Sequence, residues 1–255
     1  MNILILSDLH IDNKGKSGHF KWDENIFIEQ VERLRHLYTI HQVILNGDIF
    51  ELYKYSFQSI KDAYPKLINY LLRIQCVFIK GNHDHSIKFS KKFFQVFNSR
   101  GQVIHIEHGH KADWWNGSLP GQTLSKLGLL LLKNFSKSKW LMKVYLTIVS
   151  KVEDLNRIPK KYNTLKYLTY ALRLLKEYDV VILSHTHKLE SHHTYYLNKK
   201  KRYLNSGSCS LGRLEGIIMN TETLHYELIK TNEELVTAHS YTMISEYDFQ
   251  FINSN

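Results

Sequence analysis

The chain has 255 residues, with 34 Lys and Arg against 24 Asp and Glu, and a formal net charge of +10. An apolar fraction of 43% with only three prolines supports a large packed core and excludes a disordered or collagen-like chain. Two widely separated cysteines, Cys76 and Cys209, exclude a disulfide framework. The N-terminus also lacks the basic start and long apolar core of a secretory signal, so a reducing cytoplasm is the expected compartment.

Asn2–Ser7 reads as a strand, followed directly by Asp8 and His10. Asn25–Thr39 sets Phe27, Val31, Leu34 and Tyr38 on one helical face. Gln42–Leu45 is a short apolar strand that ends at Asn46-Gly47-Asp48. Pro65–Ile74 reads as a helix with Pro65 in its first turn. Cys76–Lys80 reads as a strand with a buried thiol, ending at Gly81-Asn82-His83-Asp84. Phe89–Asn98 fits a helix closed by Gly101, and Val103–Glu107 a strand ending at His108-Gly109-His110.

From Trp114 to Glu177 the pattern turns mainly helical. Lys111 to Lys166 holds 11 Lys and Arg against three Asp and Glu, so +8 of the net charge lies there. Strand character returns at Asp179–Leu183, which ends at Ser184-His185-Thr186-His187. Thr194–Leu197, Tyr203–Asn205, Gly216–Met219 and Leu224–Ile229 are expected as antiparallel strands, with Asn198-Lys199-Lys200-Lys201 as a hairpin turn.

Asp8/His10, Asp48, Asn82, His108 and His185/His187 all stand just past an apolar strand, where α/β sheets bind ligands. Each motif alone is weak. Gly-Asp is commonly a turn, and Asn-His-Asp also fits an Asx-turn or a helix cap. His-x-His in a strand is stronger, because alternate residues share a face. Two cations about 3.5–4 Å apart can clamp the attacking and leaving oxygens of a phosphoryl displacement, and they need a bridging anion. Asp48 is the best candidate, since Gly47 permits close backbone approach. The mix of imidazole, carboxylate and amide oxygen suits Mn, Fe, Zn or Co better than Ca or Mg.

In this order the motifs resemble the calcineurin-like metallophosphoesterases, over Met1–His110 and Asp179 to about Ile229. The resemblance implies a four-layer α/β/β/α sandwich, one domain over residues 1–255 with a helical, lid-like insertion at about 112–177. It implies two divalent metal ions, manganese first. Asp8, His10 and His187 complete one site, and Asn82, His108 and His185 the other, with a bridging water as nucleophile. His83 matches the family's catalytic histidine, which protonates the leaving oxygen or stabilises charge on the phosphoryl group. Asp84 is expected to orient His83, with a helix N-cap as the alternative. His110 stays open between a supporting position, a phosphate contact and an exposed loop histidine. His192 and His193, in the expected hairpin, are given no metal role. Asn205-Ser206-Gly207-Ser208 resembles the glycine-containing loop that follows the last histidines in the family, and an ordinary strand–turn explains it equally well.

A narrower resemblance is carried by Ser7-Asp8-Leu9-His10, Asn46-Gly47-Asp48-Ile49-Phe50-Glu51, His108-Gly109 and the helical insertion. It is to the UDP-2,3-diacylglucosamine pyrophosphohydrolases, and implies cleavage of a lipid-sugar nucleotide with the insertion holding acyl chains. Two features depart from it. His83 stands where the best-known branch carries Arg, and the ending at Asn205-Ser206-Gly207-Ser208 differs. Lys126, Lys133, Lys137, Lys139 and Lys143 interrupt the apolar insertion as in interfacial helices on anionic lipid, which points to peripheral contact at the inner face of the membrane. A solvated lysine face on a packed hairpin is the plain alternative. The competing activities are a phosphomonoesterase or phosphodiesterase on nucleotides or phosphoproteins, a nuclease, and a scaffold without catalysis. The last would be expected to have lost ligands, and all seven are present with His83.

Overall fold

A computed structural model describes residues 1–15, 18–112 and 161–232. Most of the lysine-rich insertion, residues 113–160, lies outside the described residues, and so does the expectation that it forms a lid. One sheet contains β1 (Asn2–Leu6), β2 (Ile40–Asn46), β3 (Val77–Ile79), β9 (Arg213–Asn220) and β10 (Tyr226–Asn232), in the order β10-β9-β1-β2-β3. The other contains β4 (Phe94–Phe97), β5 (Val103–Ile106), β6 (Val180–Leu183), β7 (Leu189–Tyr196) and β8 (Lys199–Ser206), in the order β4-β5-β6-β8-β7. The pairs β1–β2, β2–β3, β5–β6 and β6–β8 are parallel. Their carboxyl ends therefore gather at one edge of the molecule.

The layers follow from strand periodicity. On β1, Leu4 and Leu6 pack against α1 (Glu24–Leu37) and α3 (Pro65–Arg73) through Phe27, Val31, Leu67 and Leu71. Ile3 and Ile5 point the other way. They meet Ile44, Ile104, Val180, Ile182, Leu204 and Ile217 in a core between the two sheets. On the outer face of the second sheet, Val181, Leu183 and Tyr203 pack against Ala171 and Leu175, in and just past α4 (Lys161–Leu174). Helices, two sheets and a further helix make the expected α/β/β/α sandwich. Because both faces of β1 are covered, Ile3–Leu6 is apolar throughout rather than alternating. Among the described residues no helix is long and apolar enough to cross a membrane.

The structure corrects several sequence expectations. Phe89–Asn98 is not a helix. Within it, β4 pairs antiparallel with β5, Gln95 opposite His105, and Phe94 and Val96 pack on the inter-sheet core at a spacing of two. Gly101, at φ 72°, serves the turn between these strands instead of capping a helix. The helix α2 (Phe57–Ala63) went unassigned from the sequence. The β7–β8 turn is the two residues Leu197 and Asn198, both at positive φ, so Lys199–Lys201 already belong to β8. Cys76 is half-buried rather than buried, and both cysteines are free.

Helix α3 starts without a side-chain cap from Tyr64, and Pro65 carries no N–H of its own. Its next two N–H groups, on Lys66 and Leu67, donate to Glu24 Oε2 at 3.1 Å each. The buried carboxylate at the start of α1 thus caps a neighbouring helix and satisfies two orphan donors. Replacing Glu24 by Ala should lower unfolding stability by about 1–3 kcal/mol. Urea denaturation checks this, and an unchanged midpoint would remove the cross-cap from the account.

Candidate metal centre

Every predicted ligand lies beyond the carboxyl end of a strand: Asp8 and His10 after β1, Asp48 after β2, Asn82 after β3, His108 after β5, His185 and His187 after β6. The loops are tied to one another by backbone bonds. Asp8 N donates to Gly47 O, His10 N to Asp48 O, and Ser184 N to His108 O, at 3.0–3.1 Å. Asp8, His10, Asp48, His185 and His187 all adopt left-handed backbone, with φ between 49° and 70°. Non-glycine residues rarely do so, and such strain gathers at functional sites.

Among the described residues three overlapping groups of side chains hold ligand atoms within 4.8 Å of one another: Asp8, His10 and His187; His10, Asp48 and His83; Asp48, His108 and His185. Asp48 joins the last two. Its Oδ2 lies 3.2 Å from His108 Nε2 and 4.0 Å from His10 Nε2, while Oδ1 accepts the His83 N–H at 2.8 Å. Asp8 reaches both histidines past β6, with Oδ1 3.1 Å from His187 Nε2 and Oδ2 accepting the His185 N–H at 3.2 Å. His108 Nδ1 donates toward Asn46 O and Ser184 Oγ, which leaves Nε2 facing Asp48. Two glycines make this crowding possible. A Cβ on Gly47 would lie 2.5 Å from the His108 ring, and one on Gly81 would lie 2.0 Å from Asp48 Oδ1. Gly47 therefore admits His108, and it is Gly81 that admits Asp48.

The charges call for cations. Burial opposes ionisation of Asp8, and His187 and His108 overcome it and hold the carboxyl at about 2. Burial likewise opposes charge on His108, and the carboxylates of Asp48 and Asp8 overcome it and lift the imidazole to about 10. His185 is driven well below the usual range by burial and then by the charge on His108, so its lone pair is available. Among the described residues Asn82 Oδ1 is buried without a hydrogen-bond donor, and so is Asp8 Oδ1 apart from its contact with the His187 ring. Unsatisfied buried acceptors beside imidazoles and carboxylates fit divalent cations.

Asp84 does not orient His83. Its Oδ1 accepts the Gly81 N–H and its Oδ2 the Ile49 N–H, each at 2.7 Å, so it pins the Asp48 loop to the Asn82 loop. Nor does it cap a helix, since none starts there. The carboxylate on His83 is Glu51, whose Oε1 lies 2.9 Å from Nδ1. Burial opposes charge on His83, and Glu51 with Asp48 overcomes it and raises the ring to about 9. Glu51 Oε2 also lies 3.5 Å from His10 Nδ1. Sequence reasoning missed this role, although Glu51 closes the run Asn46-Gly47-Asp48-Ile49-Phe50-Glu51 and is the one acid within three residues after Asp48.

His110 is half-buried, its Nδ1 lacks a hydrogen-bond partner among the described residues, and its ring lies 5.4 Å from that of His108. Burial and the charge on His108 push its pKa down to about 4. His192 and His193 lie on β7 outside all three groups; His192 stacks on Tyr203 and His193 meets Tyr226 Oη. Asn205 Nδ2 donates to Ser184 O, and Ser208 Oγ to Asp8 O. The end of β8 and the residues after it thus brace two ligand loops.

A two-sheet sandwich with Asp, His and Asn converging at parallel strand ends defines a metal-dependent phosphoesterase. The chain belongs to the calcineurin-like phosphoesterase family, whose profile matches residues 1–189. No curated protein matches the chain significantly. Vps29 of Entamoeba histolytica complexed with zinc is 16% identical, over 96% of this chain and 97% of its own, with a TM-score of 0.48. Yfce, a phosphoesterase from E. coli, is 13% identical over 96% and 98%, with a TM-score of 0.46. A dimetal phosphatase from Danio rerio is 9% identical over 91% and 95%, with a TM-score of 0.48.

Replacing Gly81 by Ala should weaken Mn binding at least about tenfold, because Asp48 must move. Calorimetric titration of the metal-free protein reads this, and wild-type affinity in the variant would contradict the close approach. His108 titrates near 10 without metal, so at pH 7 it carries a proton that Nε2 must lose to bind a cation. Mn binding should therefore release protons, and its apparent affinity should rise between about pH 6 and pH 8. Titration in buffers of different ionisation enthalpy counts those protons; finding none released would refute the assignment.

Proposed function

We propose that this chain hydrolyses a phosphoester or pyrophosphate bond with a dinuclear metal centre. Asp8, His10 and His187 would hold one ion and Asn82, His108 and His185 the other, with Asp48 available to both. The observation that carries this reading is Asp48 Oδ2 lying 3.2 Å from His108 Nε2 and 4.0 Å from His10 Nε2, beside the His83–Glu51 pair. Bound cations would supply positive charge to the phosphoryl oxygens and lower the pKa of water. Glu51 accepts the Nδ1 proton of His83 and fixes the tautomer and tilt of the ring. His83 Nε2 is then the proton donor to the leaving oxygen, or a hydrogen-bond donor to the phosphoryl group.

For the substrate we propose a lipid-linked sugar nucleotide of the UDP-2,3-diacylglucosamine kind, with Mn as the working metal. The support is in the sequence: the runs Ser7–His10 and Asn46–Glu51, His108-Gly109, and the apolar, lysine-rich insertion suited to an anionic membrane surface.

The test is an assay of UDP-diacylglucosamine, simple nucleotides, aryl phosphomonoesters and diesters, and DNA side by side with Mn. Asp48→Ala should reduce kcat/KM by about a thousandfold or more, and Glu51→Gln by about 10–100-fold with the larger part in kcat. Undiminished turnover by the Asp48 variant would overturn the dinuclear reading. Faster turnover of nucleotides than of the lipid-linked substrate would overturn the substrate assignment alone.

A further inference from the structure

Glu107 stands directly before His108, and its carboxylate is buried. Two donors from two elements reach it, and an imidazole from a third lies beside it. Tyr170 Oη, on α4, donates to Oε1. Lys111 Nζ, on the short 3-10 turn His110–Ala112, donates to Oε2 at 3.1 Å. His105 Nε2, on β5, lies 3.4 Å from Oε2, with its ring stacked on Tyr178 at a centroid distance of 4.3 Å. The contact with Lys111 closes the loop that carries His108 and His110. The main chain of Glu107 is fixed as well: its N–H donates to Ile182 O and its C=O accepts from Asn46 Nδ2, both at 3.1 Å.

The same helix reaches the other ligand loop. Tyr167, one turn before Tyr170, is buried with its ring centroid 5.7 Å from that of His185. Helix α4 therefore reaches two parts of the Asp48–His108–His185 group, Glu107 beside His108 and the ring of His185. Asp8 and His10 of the other group follow β1 in the opposite sheet, braced by Ser208 and by the Gly47–Ile49 backbone. Two ligands of that group are thus supported apart from α4, while His187 shares the loop after β6 with His185.

We propose that Glu107 and Tyr170 are positioning residues for the His108–His185 half of the metal centre, coupling α4 to one metal position and not to the other. Partners of this kind, one step behind the ligands, set metal affinity by about 10–100-fold. The proposal rests on the dinuclear reading above for the number of ions, and its test does not depend on turnover.

The full-length protein, stripped of metal, is titrated with Mn by calorimetry, with electron paramagnetic resonance at one and two equivalents to distinguish isolated from exchange-coupled Mn. In Glu107→Gln, one binding step should weaken about tenfold while the other stays within about twofold, and the coupled signal at two equivalents should give way to isolated Mn. Tyr170→Phe keeps the ring and loses only the hydroxyl, so it should move the same step in the same direction by about threefold, and it serves if the Glu107 variant folds poorly. Two unchanged steps with a lowered thermal midpoint would make the contact merely structural. Equal weakening of both steps would refute the asymmetry. Wild-type protein that takes up a single Mn would count against the dinuclear reading, and unaltered affinity of that step in Tyr170→Phe would count separately against the positioning role.

Discussion

A carboxylate withdrawn from water costs several kcal/mol unless positive charge and hydrogen bonds reach it. Asp48 is buried at the end of β2, and the surrounding loops are arranged to meet that requirement. Gly81 leaves room for the carboxylate, the His83 N–H occupies one oxygen, and His108 faces the other. Asp84 then ties the loops on either side through Gly81 and Ile49. Without metal, charged imidazoles at His83 and His108 neutralise the cluster. Divalent cations would take over that role and release those rings to act as ligand and proton donor. The electrostatic demand that shapes the metal-free cluster is the same demand that admits the metal.

Placement of the ligands works against local backbone preference. Five of them sit at left-handed φ without being glycine, at an order-of-magnitude cost of about 1 kcal/mol each. That is a large fraction of the net stability of a domain. It is offset by strands buried on both faces, with Ile3 and Ile5 on the inter-sheet core and Leu4 and Leu6 under the helices. The strained residues come at strand ends, where the chain must leave the sheet and the twist of its backbone redirects the side chains. The alternation Asp8, His10 and again His185, His187 brings both pairs to the same space, with Asp8 Oδ1 against His187 Nε2.

Much of this was legible in the sequence because it depends on order along the chain. Strand, then ligand, repeated at five strand ends, requires only apolar runs and the residues that follow them, and both are local signals. The four layers followed from the family resemblance, and the double-sided burial of Ile3–Leu6 accounts for them physically. The partner of His83 was not legible from adjacency. Asp84 is its neighbour in sequence, but its oxygens go to the backbone, and the acid that reaches the ring is Glu51, 32 positions earlier. Spatial pairing between loops leaves no periodic trace. Phe89–Asn98 misled for a different reason. Its apolar residues satisfy a spacing of three or four as well as one of two, and only pairing with β5 decides between them. Helix α2 offered just one buried side chain, Ile60, too little for a periodic stripe.

The connection between β5 and β6 answers to a physical requirement. Strands β5 and β6 are parallel neighbours, with Ile104 opposite Val180, so the chain between them must cross over the sheet and return. A crossover that buries its sheet face needs a helix, and α4 supplies one, with Ala171 on the core it shares with Val181 and Leu183. Lengthening an obligatory connection disturbs the fold less than interrupting a strand, because the closure cost of a loop grows only slowly with its length. Both ends of this connection are anchored beside ligands, by Lys111 on Glu107 where it leaves β5 and by Tyr170 on Glu107 where it returns. The sequence between the anchors can therefore change without loosening the strand ends. The strand ends that carry the reaction class are held by these two anchors.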